Sequence, residues 1–177
     1  VSSFFGATRL GRDQQPNPEQ WEQARDLLDQ LQLNGIRERC YGELSDGQRR
    51  RLLIARALVH QPEVLVLDEP SRALDLRACH QLLAIFQGLI KAGTTVVQVT
   101  HRVDTIVPEM QRVLFLNEGR LVGDGPKTEM LRPQELSELF KTPLDVVEAN
   151  GFRCEATGQA LSHAQILRCR SAAMGPD

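Results

Sequence analysis

Residues 44–70 read LSDGQRRRLLIARALVHQPEVLVLDEP, with a polar start, an amphipathic middle and an apolar end. Ser45 is a good helix N-cap, and the apolar residues Ile54 and Ala57 recur at helical spacing after it. The run Val64–Leu67 is short, wholly apolar and branched, which is typical of a strand covered on both faces. The stretch therefore predicts a helix that leads into a buried strand.

A second helix and a second strand follow. Apolar residues at helical spacing predict a helix over residues 76–91, which Gly93 terminates. Residues 94–99 form a second apolar run. Strand, helix and strand in this order predict parallel pairing through a right-handed crossover. The predicted fold class is therefore α/β, with a parallel sheet and helices on both of its faces.

The flanking sequence predicts further local elements. Asn17-Pro18 suits the start of a helix, because asparagine can cap and proline fits the first helical position. Asn150-Gly151 is the strongest short-range signal of a β-hairpin. The other expected elements are a hairpin over residues 113–122, a helix over 133–140 and a loose tail over 161–177.

Polar side chains end both predicted strands at the same edge of the sheet. Asp68 and Glu69 follow the first strand, and His101 follows the second. Open parallel sheets bind their ligands beyond the carboxyl ends of the strands. An acid pair and a histidine at that edge are able to hold a hydrated metal ion and activate a water molecule. The structural alternative is that Asp68 caps the next turn and Glu69 is solvated.

The start of the first helix is a second candidate site. A helix N-terminus offers free N–H groups and the positive end of its dipole to a phosphate oxygen. Gly47 permits close approach of the backbone and Ser45 adds a hydroxyl donor, whereas Asp46 places a negative charge beside the phosphate. An ordinary capped helix explains the same residues.

Composition limits the classes of protein to consider. The chain has 177 residues, 41% of them hydrophobic and 25% charged, with a net charge of −2, so it can bury a core and needs no polyanionic partner. Residues 49–51 are three arginines that point in different directions around a helix, which favours a solvated face with local ion pairs over a nucleic-acid site. No apolar run approaches the ~20 residues of a membrane span. The four cysteines lack paired spacing, which predicts thiols and neither disulfides nor a metal site.

The order of these pieces is more specific than any one of them. LSDGQ at 44–48, LVLDEP at 65–70, SRALD at 71–75 and VTH at 99–101 resemble the signature, Walker B, D-loop and switch-histidine motifs of the ATP-binding cassette ATPases. The strong part of this resemblance covers residues 42–125. A weaker likeness to ATPases of metal-chelate, siderophore or molybdate-type importers continues to the Asn150-Gly151 hairpin.

The resemblance implies ATP and Mg²⁺ as ligands, and it implies a role in ATP hydrolysis for three residues. Asp68 would hold Mg²⁺ through water. Glu69 would orient and polarise the attacking water, and His101 would contact the γ-phosphate.

It also implies residues that face a second subunit. Asp75 would belong to the D-loop at the interface between two ATPase subunits. Ser45, Gly47 and Gln48 would belong to the signature, which faces the nucleotide bound by the opposite subunit. Asp46 departs from the family, because it stands where a glycine is usual, and it is expected to weaken the grip on that nucleotide.

The phosphate loop of this family, G-x-x-x-x-G-K-[ST], fits nowhere in the 177 residues. Residues 6–13, GATRLGRD, have the glycine spacing, but Arg12 replaces the lysine and Asp13 replaces the hydroxyl. Residues 88–95 join a helix to a strand, which is the wrong order, and residues 125–128 follow the Asp-Glu strand instead of preceding it. We therefore expect a fragment that begins inside the helical subdomain and that by itself binds ATP poorly and does not hydrolyse it.

The expected organisation follows from these assignments. The expected segments are part of a helical subdomain (1–43), the C-terminal part of the cassette core (44–142), a hairpin extension (143–160) and a tail (161–177). The resemblance implies a head-to-tail second ATPase subunit and transmembrane permease subunits as partners. It places the chain at the cytoplasmic face of the membrane, without insertion into the bilayer and without a nucleic-acid partner. The alternative is a non-catalytic protein that lends only its signature motif to an intact ATPase.

Overall fold

The computed structural model describes residues 15–157. The chain divides into two compact units, with the boundary between Val99 and Thr100. The near-phosphate-loop stretch at 6–13 and the predicted tail at 161–177 lie outside the described residues. The division into helical subdomain, cassette core and extension stays a prediction.

The first unit contains the predicted strand, helix and strand. Asn17 caps the first helix and shares a reciprocal capping box with Gln20, as the Asn17-Pro18 signal predicts. Gly93, with a φ of +97°, follows the last helix as its terminator. The elements are α1 (Pro18–Gln30), α2 (Asp46–Leu58), β1 (Val64–Asp68), α3 (Leu76–Lys91) and β2 (Thr95–Val99).

The two strands of this unit pair in parallel, as predicted. Val64 lies opposite Thr95 and Asp68 lies opposite Val99, so the carboxyl ends of both strands reach the same edge. On one face of this sheet Leu65 is buried. The core of the unit also includes Leu82 and Phe86 of α3, which are fully buried.

The other face of this sheet is open in the described part of the chain. Val66 is 65% exposed, and Val64, Val97 and Val99 on the same side are also exposed. The prediction that β1 is covered on both faces is therefore wrong for residues 15–157. An apolar run shows that a strand suits burial on two sides, but it cannot show that both layers are present.

Hydrogen bonds from a buried arginine connect α2 to the end of α1. Arg51 is only 8% exposed and donates hydrogen bonds to the backbone oxygens of Gly47, Leu31 and Gln32. Burial, and to a smaller extent the positive charge of Arg77, lowers the pKa of the Arg51 guanidinium. The predicted solvated face therefore does not include Arg51.

Two apolar residues of the helices are exposed. In α2 the buried stripe runs through Ile54, Ala55 and Leu58, whereas Ala57 is exposed. Trp21 of α1 is exposed as well, and no residue of that helix is buried. Spacing gives the face of a helix approximately, and tertiary packing decides which neighbouring turn is covered.

The second unit is built on two antiparallel hairpins, both predicted. Glu118-Gly119 and Asn150-Gly151 form their turns with positive φ at both positions, as a two-residue hairpin turn requires. The elements are β3 (Arg112–Asn117), β4 (Arg120–Pro126), α4 (Lys127–Met130), α5 (Pro133–Phe140), β5 (Leu144–Ala149) and β6 (Phe152–Thr157).

A small apolar core holds this unit together. Val103, Leu131 and Leu136 are buried in one cluster. Lys127 holds the loop that contains Val107 and Pro108, since its Nζ donates to their backbone oxygens at 3.3 and 2.8 Å. Burial lowers the pKa of the Lys127 ammonium.

The cysteines of the described residues differ in their bonding. Cys154, in β6, is disulfide-bonded, whereas Cys40 and Cys79 do not take part in a disulfide. The prediction of thiols is therefore wrong for Cys154, because disulfide pairing depends on distance in the fold and not on sequence spacing. Across residues 15–157 no helix has the length and apolar character to cross a membrane.

Candidate functional site

The acidic pair lies where β1 ends, at the carboxyl edge of the parallel sheet. Asp68 is the last residue of the strand and is exposed, opposite Val99 of β2. Glu69 is half-buried, and its backbone N–H donates to the carbonyl oxygen of Val99 at 2.9 Å. This hydrogen bond carries the strand pairing one residue past Asp68 and fixes the backbone of Glu69 to β2.

Glu69 has an unusual backbone conformation. Its φ is +43°, in the left-handed region that residues with a β-carbon rarely occupy. The surrounding turn holds this conformation, because the carbonyl of Glu69 accepts from the N–H of Arg72 at 3.1 Å and Pro70 and Ser71 are buried. Backbone strain that persists at a sheet edge is typical of sites where a side chain must be aimed in a fixed direction.

Asp75 caps the next helix. Its Oδ1 accepts a hydrogen bond from the N–H of Ala78 at 2.7 Å, so it is the N-cap of α3. This contact gives Asp75 a structural role that the sequence analysis did not assign to it. The signal was present, because aspartate directly before an apolar helical run is a standard N-cap pattern.

Ser45 and Gln48 form a complete capping box at the start of α2. The Oγ of Ser45 accepts from the N–H of Gln48 at 3.3 Å, and the Oε1 of Gln48 accepts from the N–H of Ser45 at 3.0 Å. Ser45 and Gln48 therefore cap the helix, as the structural alternative predicts. This cap does not exclude ligand binding, because a serine hydroxyl that accepts a hydrogen bond can still donate its own proton.

Asp46 is paired with a neighbouring arginine. Arg49 lies 3.4 Å from the Oδ1 of Asp46 and also donates to the backbone oxygens of Tyr41 and Gly42 at 3.3 and 2.8 Å. The guanidinium of Arg49 stacks 5.6 Å from the centre of the Tyr41 ring. One local ion pair predicted for the arginine run is thus present, and it offsets part of the negative charge that Asp46 brings to the helix start.

Gly47 is buried where α2 meets α3. A β-carbon built on Gly47 would lie 2.8 Å from the β-carbon of Ala78. The predicted close approach at this glycine is therefore made, in this structure, by another helix.

His101 belongs to the second unit, where it lines a cleft of about 290 Å³. The other lining residues include Thr142, Leu144 and Glu155. Glu155 could not be identified from the sequence, since nothing in its local pattern links the last hairpin to His101. The proximity of His101 to the acidic pair stays a prediction.

The donor set fits magnesium better than a metal held by protein alone. Within residues 15–157 no group of three or more His, Cys, Asp and Glu side chains could hold a metal ion. Mg²⁺ keeps several waters and is usually held by one or two carboxylates together with substrate phosphates. The exposed carboxylate of Asp68 suits that arrangement, and it would supply one oxygen.

Comparison with known proteins places this arrangement in a family. A family model described as ABC transporter matches residues 2–72. The ABC transporter ATP-binding protein YlmA of Bacillus subtilis is 37% identical over 140 residues, which cover 78% of this chain and 53% of that protein. The cobalt import ATP-binding protein CbiO of Rhodobacter capsulatus is 38% identical over 127 residues, which cover 72% of this chain and 44% of that protein.

The fold agrees with these sequence relatives. A solved structure described as a metal-chelate-type ABC transporter in an inward-facing conformation has a TM-score of 0.74 and 28% identity to this chain. The match covers 87% of this chain and 63% of that one. The chain spans about half the length of the curated relatives it matches. Its motifs, its fold and its relatives agree that it belongs to the ATP-binding cassette family of transporter ATPases.

Proposed function

We propose that this chain is part of the ATP-binding and ATP-hydrolysing subunit of an ABC transporter. The observation that carries the proposal is the acidic pair at the carboxyl edge of the parallel strands, with Glu69 held in a strained turn by its hydrogen bond to Val99. Such an edge is where open α/β sheets bind their ligands. The N-terminus of α2 is a second surface suited to a nucleotide phosphate.

In this proposal Asp68 would hold Mg²⁺ through water, and the chemistry that Mg²⁺ would supply is charge neutralisation at the phosphate oxygens. The carboxylate of Glu69 orients the attacking water and accepts its proton. The rigid turn at Glu69 supports this role, because a general base must be positioned before the reaction begins. His101 contacts the γ-phosphate.

The signature residues would act across a dimer. Ser45, Gly47 and Gln48 face the nucleotide of a second ATPase subunit, and Asp75 lies at the interface between the subunits. The pairing of Asp46 with Arg49 supports this role, since it reduces the repulsion between Asp46 and a phosphate. The partners would be a second ATPase subunit, placed head to tail, and transmembrane permease subunits at the cytoplasmic face of the membrane.

An importer is the favoured kind of transporter. The relative from Rhodobacter capsulatus is a cobalt import protein, and the structural match is of the metal-chelate type. The weaker likeness in residues 123–140 is to importer ATPases as well. The substrate would be selected by the permease and its accessory subunits.

The phosphate-binding lysine of this site is not among the 177 residues, because no phosphate-loop sequence in them fits. The second candidate function is therefore that of a non-catalytic partner, which contributes its signature motif to an intact ATPase. The complete capping box at Ser45 supports this alternative as much as the first, because a partner that lends only its signature needs no phosphate loop of its own. The coding DNA upstream of Val1 discriminates the two: an in-frame G-x-x-x-x-G-K-[ST] supports hydrolysis, and a start codon directly before Val1 supports pairing.

Replacing Glu69 tests the hydrolytic function. In the full-length protein that carries these residues, we expect Glu69→Gln to lower magnesium-dependent ATP hydrolysis by about 10²–10⁴-fold, the usual contribution of a general base. Binding of Mg-ATP should be retained. Glu63→Gln is the matched control, because Glu63 is an exposed glutamate just before the same strand. Equal hydrolysis by Glu69→Gln and wild type would refute the role of Glu69.

A further inference from the structure

Gly47 lies in the first turn of α2 and does not use the conformational freedom of glycine. Its φ is not positive. At such a position alanine is the better helix former, by roughly 1 kcal/mol. The presence of glycine therefore needs a reason in its surroundings.

Those surroundings are the start of helix α3. A β-carbon on Gly47 would lie 2.8 Å from the β-carbon of Ala78, a distance that real β-carbons essentially never show. The Ala78 Cα and the Leu74 Cδ2 would each be 4.0 Å away, which is ordinary contact. The methyl group of Ala78 thus fills the space that a side chain at position 47 would need.

This contact joins the starts of two helices that both carry motif residues. Ala78 donates its N–H to Asp75, the N-cap of α3. Gly47 lies between Ser45 and Gln48, the two members of the capping box of α2. The signature and the D-loop are therefore held in contact through a glycine and an alanine that lie 31 positions apart.

We propose that Ala78 is a positioning residue for the nucleotide site, and that it acts by setting the distance between the signature and the D-loop through its contact with Gly47. This inference rests on the proposed function, because the signature matters only if it faces a nucleotide. It gives Gly47 a second reason to be glycine, beside the approach of its backbone to a ligand. The two reasons make different predictions when the methyl group is moved from one helix to the other.

The experiment is a swap of that methyl group in the full-length protein. Gly47→Ala should push the helix starts apart and lower kcat/KM for ATP by about 10²-fold, the scale expected for a displacement near 1 Å. The double variant Gly47→Ala with Ala78→Gly should recover most of this loss. In it the new β-carbon would lie 4.0 Å from the Cα at position 78, so neither helix has to move.

The outcomes separate the alternatives. Recovery of kcat/KM and of the melting temperature in the double variant supports the positioning role. Recovery of the melting temperature without recovery of kcat/KM overturns it, because Gly47 is then needed by the ligand itself. If Gly47→Ala does not fold, Ala78→Ser offers a milder change at the same contact, and it should raise KM for ATP.

Two controls complete the design. Gly88→Ala lies in α3, where an added β-carbon has no neighbour within 4 Å, so it should leave kcat/KM unchanged. A wild-type protein that neither hydrolyses Mg-ATP nor associates with a partner in its presence would refute the proposed function. The melting temperatures of the single and double variants would still report whether the Gly47–Ala78 contact sets the packing of the two helices.

Discussion

At the scale of single residues, the candidate site combines chemistry with backbone strain. Glu69 holds a conformation that a side chain disfavours, and its turn is maintained by contacts on both sides of it. A glycine would adopt this φ without cost. That Glu69 keeps its side chain despite the strain is the pattern expected where a carboxylate is needed for function.

The strain at Glu69 leads to a stability prediction. We expect Glu69→Gly to be more stable than Glu69→Ala by about 1 kcal/mol, because both lose the carboxylate but only alanine keeps a β-carbon at positive φ. Chemical denaturation of the two variants measures the difference. Equal stability would mean that the backbone relaxes on substitution and that the strain does not depend on this side chain.

Gly151 is a second residue whose conformation matters. It has a φ of +80°, and a β-carbon there would lie 3.0 Å from the ring of Pro108. Gly151→Ala should therefore destabilise the protein by about 1–3 kcal/mol, more than Gly119→Ala, which has a similar φ of +73° but open space around it. Thermal melts of the two variants separate steric crowding from backbone strain. A larger loss for Gly119→Ala would contradict this explanation.

At the scale of elements, helices and turns with strong local signals could be predicted from sequence. The predicted helices over 76–91 and 133–140 match α3 and α5, and both hairpins match as well. Caps, terminating glycines and paired turn residues act within a few positions, so the sequence contains them directly. The acidic pair at the sheet edge followed from the same local reasoning.

Contacts between distant positions could not be predicted. The burial of Arg51 against the end of α1 and the packing of Gly47 on Ala78 depend on how helices meet. Local spacing does not contain that information, and it also gave Ala57 the wrong face of α2. The exposed face of β1 could not be predicted for the same reason, since a run of apolar residues does not indicate which layers cover the strand.

The hydrogen bonds of the buried Arg51 lead to a stability prediction. Arg51→Met keeps much of the apolar stem but removes the guanidinium donor from three backbone oxygens, so we expect a loss of about 1–3 kcal/mol in the free energy of unfolding. Arg56→Met, at an exposed position of the same helix, is the control and should change stability little. Urea unfolding compares them, and equal losses would show that the Arg51 hydrogen bonds contribute nothing specific.

At the scale of the whole molecule, the exposed valine face of the parallel sheet is expected to promote self-association. Val64, Val66, Val97 and Val99 place exposed apolar side chains on one side of a two-stranded sheet. Exposed apolar patches and unpaired parallel strands promote association. The purified 177-residue chain should therefore self-associate at micromolar concentration.

Two substitutions test whether this face is responsible. Val66→Thr combined with Val97→Thr keeps the β-branched shape and adds hydroxyls at positions that lie opposite each other in the sheet. We expect less association in sedimentation measurements and weaker binding of a hydrophobic dye. Ile54→Thr, inside the core, should instead lower the melting temperature. A monomeric wild-type chain with a sharp melt would contradict the prediction.

The parallel pairing of β1 with β2 also has a consequence for the time course of synthesis. Val64 and its partner Thr95 are 31 positions apart, with α3 between them. At the usual rate of translation, about 2–6 s pass between the appearance of the first strand and that of its partner. During that interval the apolar run of β1 is a nascent segment that cannot complete its hydrogen bonds, so it is available to a chaperone that binds exposed apolar segments on the ribosome.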